Sequence, residues 1–284
     1  MILAVASGKG GTGKTTIAVN LARCSAEPTR LLDCDVEEPN CQIFLRPAIA
    51  SRQAVHLLVP QVDAAKCNGC GECGRICQYH AIVPFGANVM VFPELCHGCG
   101  GCAKVCPTGA IQEVEREIGF VETGSAEGVA FVQGTLAIGH PAAPPVIRAV
   151  RPHIRRDRLN ILDCSPGTSC PVVTAVRGSD YVLLVTEPTP FGLHDLVLAV
   201  ETIRLLGVPF GVVINRVGIG DEGVHQFCAA EGIPIVLEIP DDRRIAEAYS
   251  RGQMATDAVP ELRASFRDLL GTLGGRFSAP KETE

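Results

Sequence analysis

The sequence predicts an α/β protein: a mostly parallel β-sheet with helices on both faces, carrying a small cysteine-rich insertion. Three features carry that prediction. An apolar run, Met1 to Ala6, leads through a glycine-rich loop into an amphipathic segment from Thr15 to Arg23. Short β-rich runs alternate with helical segments in the second half of the chain, the pattern of parallel strands joined by crossover helices. Eight of the fourteen cysteines fall between Asp63 and Glu113, where the composition changes sharply.

At 284 residues the chain can bury a full α/β core and one small extra module. Its apolar share of 46% fits a soluble globular protein, and no run approaches the ~20 apolar residues that span a bilayer. A net charge of −6 argues against a surface built to coat nucleic acid. Met1 already begins the first core strand, so no export signal is read ahead of it. Fourteen cysteines in such a chain point to metal rather than to disulfides. The expected setting is the reducing cytoplasm, with neither nucleic acid nor membrane as a partner.

Taken in order, Met1–Ala6 reads as a buried strand, followed by Ser7-Gly8-Lys9-Gly10-Gly11-Thr12-Gly13-Lys14-Thr15-Thr16 and a helix with Ile17, Ala18, Leu21 and Ala22 facing inward. Strand, loop and helix in that order is the context that the phosphate-loop pattern GxxxxGK[ST] requires. The glycines let backbone N–H groups converge on one point, and the helix N-terminus adds partial positive charge. Lys14 is expected at the β- and γ-phosphates of a nucleoside triphosphate and the Thr15 hydroxyl on Mg²⁺. Arg30–Asp33 reads as a second strand and Val55–Pro60 as a third. The cysteine block shows little helical or strand periodicity and needs a metal scaffold in place of an apolar core. Ile118 to Leu136 alternates and carries glycines, as hairpin strands do. Leu159–Asp163, Tyr181–Thr186, Phe210–Asn215 and Ile235–Ile239 are the remaining strands. Helices are expected over Val172–Arg177, Leu193–Leu206 and Glu222–Glu231, with Leu196, Val197, Val200 and Ile203 as a sheet-facing stripe. Leu262 to Phe277 is faintly amphipathic and is expected to pack on the sheet. The division that results is 1–61 and 116–284 for the α/β unit, with 62–115 inserted after the third strand.

The insertion holds Cys67-x2-Cys70-x2-Cys73-x3-Cys77 and Cys96-x2-Cys99-x2-Cys102-x3-Cys106-Pro107. Two copies of this spacing are the bacterial ferredoxin pattern, in which the fourth cysteine of each run serves the other cluster. By that logic Cys67, Cys70, Cys73 and Cys106 hold one [4Fe–4S] cluster, and Cys96, Cys99, Cys102 and Cys77 hold a second. Gln78 and Tyr79 stand where proline is usual in the first run, which removes no ligand. Two four-cysteine zinc sites are the alternative. The segment resembles an electron relay.

Lys9 is an additional lysine that an ordinary phosphate loop does not need. With it, the sequence resembles the deviant-Walker (SIMIBI-type) P-loop ATPases, the MinD, ParA, Mrp and nitrogenase iron-protein group. The resemblance implies that Lys9 crosses a nucleotide-sandwich dimer to the partner's phosphates, as an arginine finger does. In Asp33-Cys34-Asp35 it implies that Asp35 positions or activates the attacking water and that Asp33 supports Mg²⁺ through its shell. Asp163, ending Ile161–Asp163, would hold Mg²⁺ through water, and Ser165-Pro166-Gly167 would sense the γ-phosphate. Asn215, with Arg216 beside it, matches the adenine-reading position, and Pro240-Asp241 the loop that covers the base. Catalysis would rest on Lys9, Lys14 and Asp35.

More narrowly, the chain is similar to MinD-superfamily ATPases that carry an inserted double ferredoxin domain. The similarity extends over nearly its whole length, in stretches such as Asp35–Asn40, Ala142–Val150, Ser165–Pro171 and Glu187–His194. Some members of that family occur as paired ATPases linked to the orange-protein complex, a molybdenum–copper-sulfide assembly tied to cell division in anaerobes. The resemblance implies ATP/ADP, Mg²⁺ and two [4Fe–4S] clusters as cofactors. It also implies a homodimer, or a heterodimer with a related ATPase, and a protein redox partner or larger complex. ATP turnover would gate electron transfer. The alternatives are a spatial or cell-division switch whose clusters sense redox state, and a cluster scaffold or carrier, although the C-terminal CxxC of the carrier branch is missing. Cys170 lies at the offset of a bridging-cluster cysteine in nitrogenase iron protein but has no companion between Gly119 and Pro152, so it reads as a buried or interface thiol. Cys24, Cys34, Cys41, Cys164 and Cys228 read as core or loop thiols, and Arg151 to Arg158 as a solvated helix face.

Overall fold

The computed structural model of the chain describes residues 1–86 and 88–278. It opens with β1 (Ile2–Ala6), α1 (Lys14–Cys24), β2 (Thr29–Cys34) and the short α2 (Cys41–Leu45). A long strand, β3 (Ala48–Val62), leads out to α3 (Glu72–Ile76), the hairpin β4 (Ile82–Phe85) and β5 (Asn88–Val91), and α4 (Gly101–Val105). β6 (Ile111–Ala126) returns antiparallel to β3 and turns at Glu127-Gly128 into β7 (Val129–Leu136). Both turn residues have positive φ, 47° and 86°, as a two-residue hairpin of matching twist requires.

From there helices and strands alternate: α5 (Ala143–Val150), β8 (Leu159–Cys164), α6 (Cys170–Val176), β9 (Tyr181–Thr186), α7 (Pro190–Leu206), β10 (Phe210–Val217), α8 (Gly223–Ala230) and β11 (Ile235–Pro240). α9 (Arg243–Ser250), α10 (Ala255–Ala258) and α11 (Leu262–Ser278) close the chain. The main sheet runs β11-β10-β9-β1-β8-β2-β7-β6-β3. It is parallel from β11 to β7 and antiparallel in its last two pairings. β1, β8 and β2 are neighbours, so their carboxyl-end loops converge, the place where open parallel sheets bind ligands.

Strand geometry sends successive side chains to opposite faces, and the core obeys it. Leu32 and Leu162 pack under α5, α6 and α7 with Val146, Val172 and Val200. Leu31 and Ile161 point the other way, against Ile17 and Leu21 of α1 and Phe266 and Leu273 of α11. Leu262, Phe266, Leu269 and Leu273 are all buried, so α11 packs on the sheet as its spacing predicts. Among the described residues no helix is long and apolar enough to cross a membrane.

Three expectations need correction. The third strand is 15 residues long rather than Val55–Pro60. As the edge of the sheet it exposes most of its outer half, so polar Ser51, Arg52 and Gln53 break no hydrophobic pattern there. The cysteine segment does contain regular structure, in pieces of four or five residues that are too short to show a period. Arg151 to Arg158 is a 3₁₀ turn (Arg151–His153) and a loop, not a helix face. The Arg151 guanidinium donates to the carbonyls of Ala175 and Arg177, closing the last turn of α6.

Candidate functional site

Ser7 to Gly13 leave β1 and fold back over the start of α1. Gly11 and Gly13 sit at φ 81° and 93°, which L-residues with a Cβ rarely adopt. Gly13 is also crowded, since a Cβ there would lie 2.4 Å from Asn215 Nδ2. Gly8 is needed for close approach, because its Cβ would fall 2.1 Å from the Asp195 carbonyl oxygen of α7. No side chain caps α1, so its first N–H groups are free to meet an anion. They open on a cleft of about 440 Å³, within the range of small-ligand sites. Gly10, Gly11, Gly13 and Lys14 to Thr16 line one side, and Asn215, Arg216, Pro240 and Asp241 the other. Asp35 and Pro166 also line it, together with Tyr249 of α9.

One buried ammonium, Lys14, acts on the carboxylates of Asp35 and Asp163, with Asp33 behind them. Lys14 Nζ lies 3.8 Å from Asp35 Oδ2, and the Thr15 hydroxyl donates to Asp163 Oδ2 at 2.6 Å. Asp33 and Asp163 are register partners on β2 and β8, both with no exposed surface. Asp33 accepts the N–H groups of Asp35 (3.1 Å) and Cys41 (3.0 Å). Burial, and then the Asp163 charge, push the Asp33 carboxyl well above the usual range. Burial also raises Asp163, against the pull of Lys14. Asp35 is pushed up to about 7, chiefly by burial, with Lys14 opposing. The second oxygen of Asp163, Oδ1, is buried without a hydrogen-bond partner. The Thr15 hydroxyl and the carboxylates of Asp33, Asp35 and Asp163, the last with one buried oxygen unsatisfied, fit the oxygen-donor chemistry of Mg²⁺.

The loop after β8 ties this centre together. Ser165 Oγ donates to the Cys34 carbonyl at 3.2 Å, and Gly167 N–H, at φ 97°, donates to the Ser7 carbonyl at 2.9 Å. Asn215 lines the cleft, but its amide donates to the Thr12 carbonyl at 2.8 Å, so part of its capacity holds the loop. Asp241 N–H donates to Val217 O at 2.9 Å, which fixes the Pro240-Asp241 turn beside the cleft. Lys9 lies 3.5 Å from Glu187 Oε2 of its own chain, and Arg216 lies 2.6 Å from Glu187 Oε1. Arg216 has φ 57°, a left-handed conformation rare for a residue with a Cβ. Glu187 was visible in the sequence only as an acid at a strand end, and nothing there paired it with Lys9.

In the cysteine segment, one small pocket is lined by Cys67, Cys70, Cys73 and Cys106, and another by Cys77, Cys96, Cys99 and Cys102. Each takes its fourth cysteine from the other run. Gly71 and Gly100, at φ 78° and 69°, precede α3 and α4 and let each CxxCxxC stretch turn sharply. Tyr79, at the departure from the proline pattern, stacks on His97 with centroids 3.7 Å apart. Cys170 is exposed rather than buried, whereas Cys24, Cys34, Cys41, Cys164 and Cys228 are all buried. Between the two regions, Leu136 N–H donates to Val36 O and Ala137 N–H to Ile118 O, both at 2.8 Å. The segment after Asp35 is thereby joined through β7 to the strand that leads to the cysteines.

Residues 3–255 match the family described as the CobQ/CobB/MinD/ParA nucleotide binding domain. An uncharacterized protein of Methanocaldococcus jannaschii is 31% identical over 260 residues, covering 89% of this chain and 90% of the relative. A protein of Pyrococcus horikoshii named iron-sulfur cluster carrier protein is 24% identical, over 88% of this chain and 77% of its own length. The septum site-determining protein MinD of Pyrococcus horikoshii, solved with Mg-ADP, superposes with a TM-score of 0.57 at 19% identity, covering 96% of this chain and 95% of that one.

Proposed function

The chain belongs to the CobQ/CobB/MinD/ParA nucleotide-binding family, and on that premise we propose that it is a Mg²⁺-dependent ATPase whose nucleotide state is coupled to redox chemistry at two [4Fe–4S] clusters. The observation that carries the coupling is the crossed gathering of the two cysteine runs into separate pockets at the far end of β3 and β6. Those strands connect to the nucleotide centre through Leu136 and Val36.

In this account the triphosphate lies along Gly10 to Thr16, and Lys14 leaves Asp35 for the β- and γ-phosphates. Asp35, released from its cation, orients a water and accepts its proton. Thr15, with Asp163 and Asp33 acting through water, would hold Mg²⁺, which supplies charge neutralisation at the phosphates. Lys9 moves from Glu187 to the phosphates of a second subunit, a copy of this chain or a related ATPase. When bound, the clusters supply reversible one-electron transfer. Ser165–Gly167 and Val36 then report the presence of the γ-phosphate to β7 and β6.

The test is an anaerobic preparation, expected to be brown with about eight irons per chain. Its cluster reduction potentials are measured with Mg·ATP, with Mg·ADP and without nucleotide. A shift between the ATP and ADP states supports coupling, and identical potentials and electron-transfer rates reject it. The name of the Pyrococcus horikoshii carrier relative favours cluster delivery as a second reading. ATP-stimulated transfer of iron and sulfide to an apo-acceptor carries that reading, and clusters retained through turnover count against it.

A further inference from the structure

Cys41 enters neither the nucleotide mechanism nor the cysteine segment, yet it sits beside the most acidic point of the core. It begins α2 and has no exposed surface. Its thiol donates to Asp163 Oδ2 at 3.3 Å, while its backbone N–H donates to Asp33 Oδ2 at 3.0 Å. The ligand atoms of Asp33, Cys41 and Asp163 all lie within 4.8 Å of one another, and all three residues are buried. Asp163 Oδ1 is a further buried oxygen with no partner. The ammonium at hand is Lys14, which already faces Asp35. Two carboxylates and a thiol in a dry site require either protons or a cation to be stable. The donor set is unlike the one Mg²⁺ takes, since that ion wants six oxygens in an octahedron and dehydrates reluctantly. One sulfur and two carboxylate oxygens suit a four-coordinate, borderline-soft ion, with a metal–sulfur bond of about 2.3 Å and metal–oxygen bonds of about 2.0–2.2 Å.

We propose that Asp33, Cys41 and Asp163 form, in the nucleotide-free chain, a site for a thiophilic divalent cation of the zinc class, which occupies the carboxylates that Mg·ATP requires and so holds the nucleotide centre inactive. Cys41 binds as thiolate, and its proton leaves to solvent, one per ion bound. Asp33 and Asp163 each supply an oxygen, and Asp163 Oδ1 or a water completes the set. With Asp163 engaged by the ion, the Thr15 hydroxyl loses its acceptor at the foot of the phosphate loop. The inhibitory consequence rests on the ATPase reading, whereas the ion site itself does not.

The experiment titrates the full cluster-bearing chain, free of nucleotide, with Co²⁺ and takes the difference between the natural protein and Cys41→Ser. One thiolate-to-cobalt charge-transfer band per chain is expected in the natural protein and none in the variant. Zinc should displace the cobalt, with an affinity at least tenfold weaker in Cys41→Ser by equilibrium dialysis. Prior saturation with Mg·ADP should suppress the band in the natural protein, a readout that does not depend on the variant folding. A band that survives Cys41→Ser, or no band in the natural protein, overturns the ion site, and a band indifferent to Mg·ADP in a chain that binds Mg·ADP overturns its inhibitory consequence. Absence of ATP hydrolysis with the band intact would instead remove the ATPase reading and leave the ion site standing.

Discussion

The Lys9 ammonium and the Glu187 carboxylate of the same chain lie 3.5 Å apart, and that carboxylate also holds Arg216 at 2.6 Å. A lysine that is to reach a partner's phosphates must first give up this contact. Lys9 is partly exposed, at 30% of its side chain, so water and salt screen the pair and its worth is about 0.5–1 kcal/mol. Glu187→Gln removes the charge while keeping the shape. A homodimer breaks two such pairs, so ATP-dependent dimerisation should then occur at about five- to thirtyfold lower protein concentration in sedimentation equilibrium, with the gain shrinking at high salt. Unchanged or weaker dimerisation means that Glu187 supports the loop instead of restraining Lys9.

Asp35 makes a prediction about pH. Burial lifts its carboxyl to about 7 from an ordinary 3.8, with Lys14 pulling the other way. Between those values the folded chain binds a proton that the unfolded chain does not, so stability falls as pH rises through the window. Asp33 and Asp163 are shifted in the same direction, so Asp35→Asn should reduce the slope without removing it. Melting temperatures of nucleotide-free protein between pH 5 and 8, taken for both proteins, give the answer. The kcat/KM for ATP, which reports the free protein, should show the opposite sense, with an acid limb near pH 7, because only the ionised carboxylate accepts a proton.

How much of this was legible beforehand depended on how local each signal was. β1, the phosphate loop and Tyr181–Thr186 were readable because buried parallel strands are continuous apolar runs and the loop is a fixed short motif. The cysteines line two pockets in the groups that the ferredoxin pattern, matched by their spacing, leads one to expect. Glu187 and Cys41 could not, because each meets its partner across strands far apart in sequence, 178 residues from Lys9 to Glu187 and 122 from Cys41 to Asp163. The outer half of β3 was silent for another reason: an exposed edge strand has no face that must be apolar.

Gly13 should tolerate no side chain. Its φ of 93° is strained for any L-residue, and an added Cβ would press on the amide of Asn215, which is held by the Thr12 carbonyl. Relief requires the loop or Asn215 to move, and both line the cleft. Left-handed backbone strain alone is about 1–2 kcal/mol, enough for a tenfold effect. Gly13→Ala should therefore weaken binding of a fluorescent ATP analogue by at least tenfold. Gly10→Ala, where a Cβ meets nothing within 4 Å, should change it far less. Equal losses at the two positions would mean that the cradle is not what binds the nucleotide.

The crossed cysteine sets make a prediction that single substitutions cannot resolve, since losing any one ligand harms one centre under either arrangement. Pairs separate the two. If Cys77 serves the centre of Cys96, Cys99 and Cys102, then Cys77→Ser with Cys96→Ser strikes one centre twice, and about four of the eight irons expected of two proposed clusters should remain. If each run held its own centre, the same pair would strike both, and most of the iron would be lost. Cys96→Ser with Cys106→Ser reverses the expectation, because Cys106 stands with Cys67, Cys70 and Cys73. Iron per chain in the two double variants, read with the low-temperature spectrum of the reduced protein, distinguishes the arrangements. Half retention in the first pair and near-complete loss in the second is the outcome this geometry requires, and the reverse order would mean that each run keeps its own cluster.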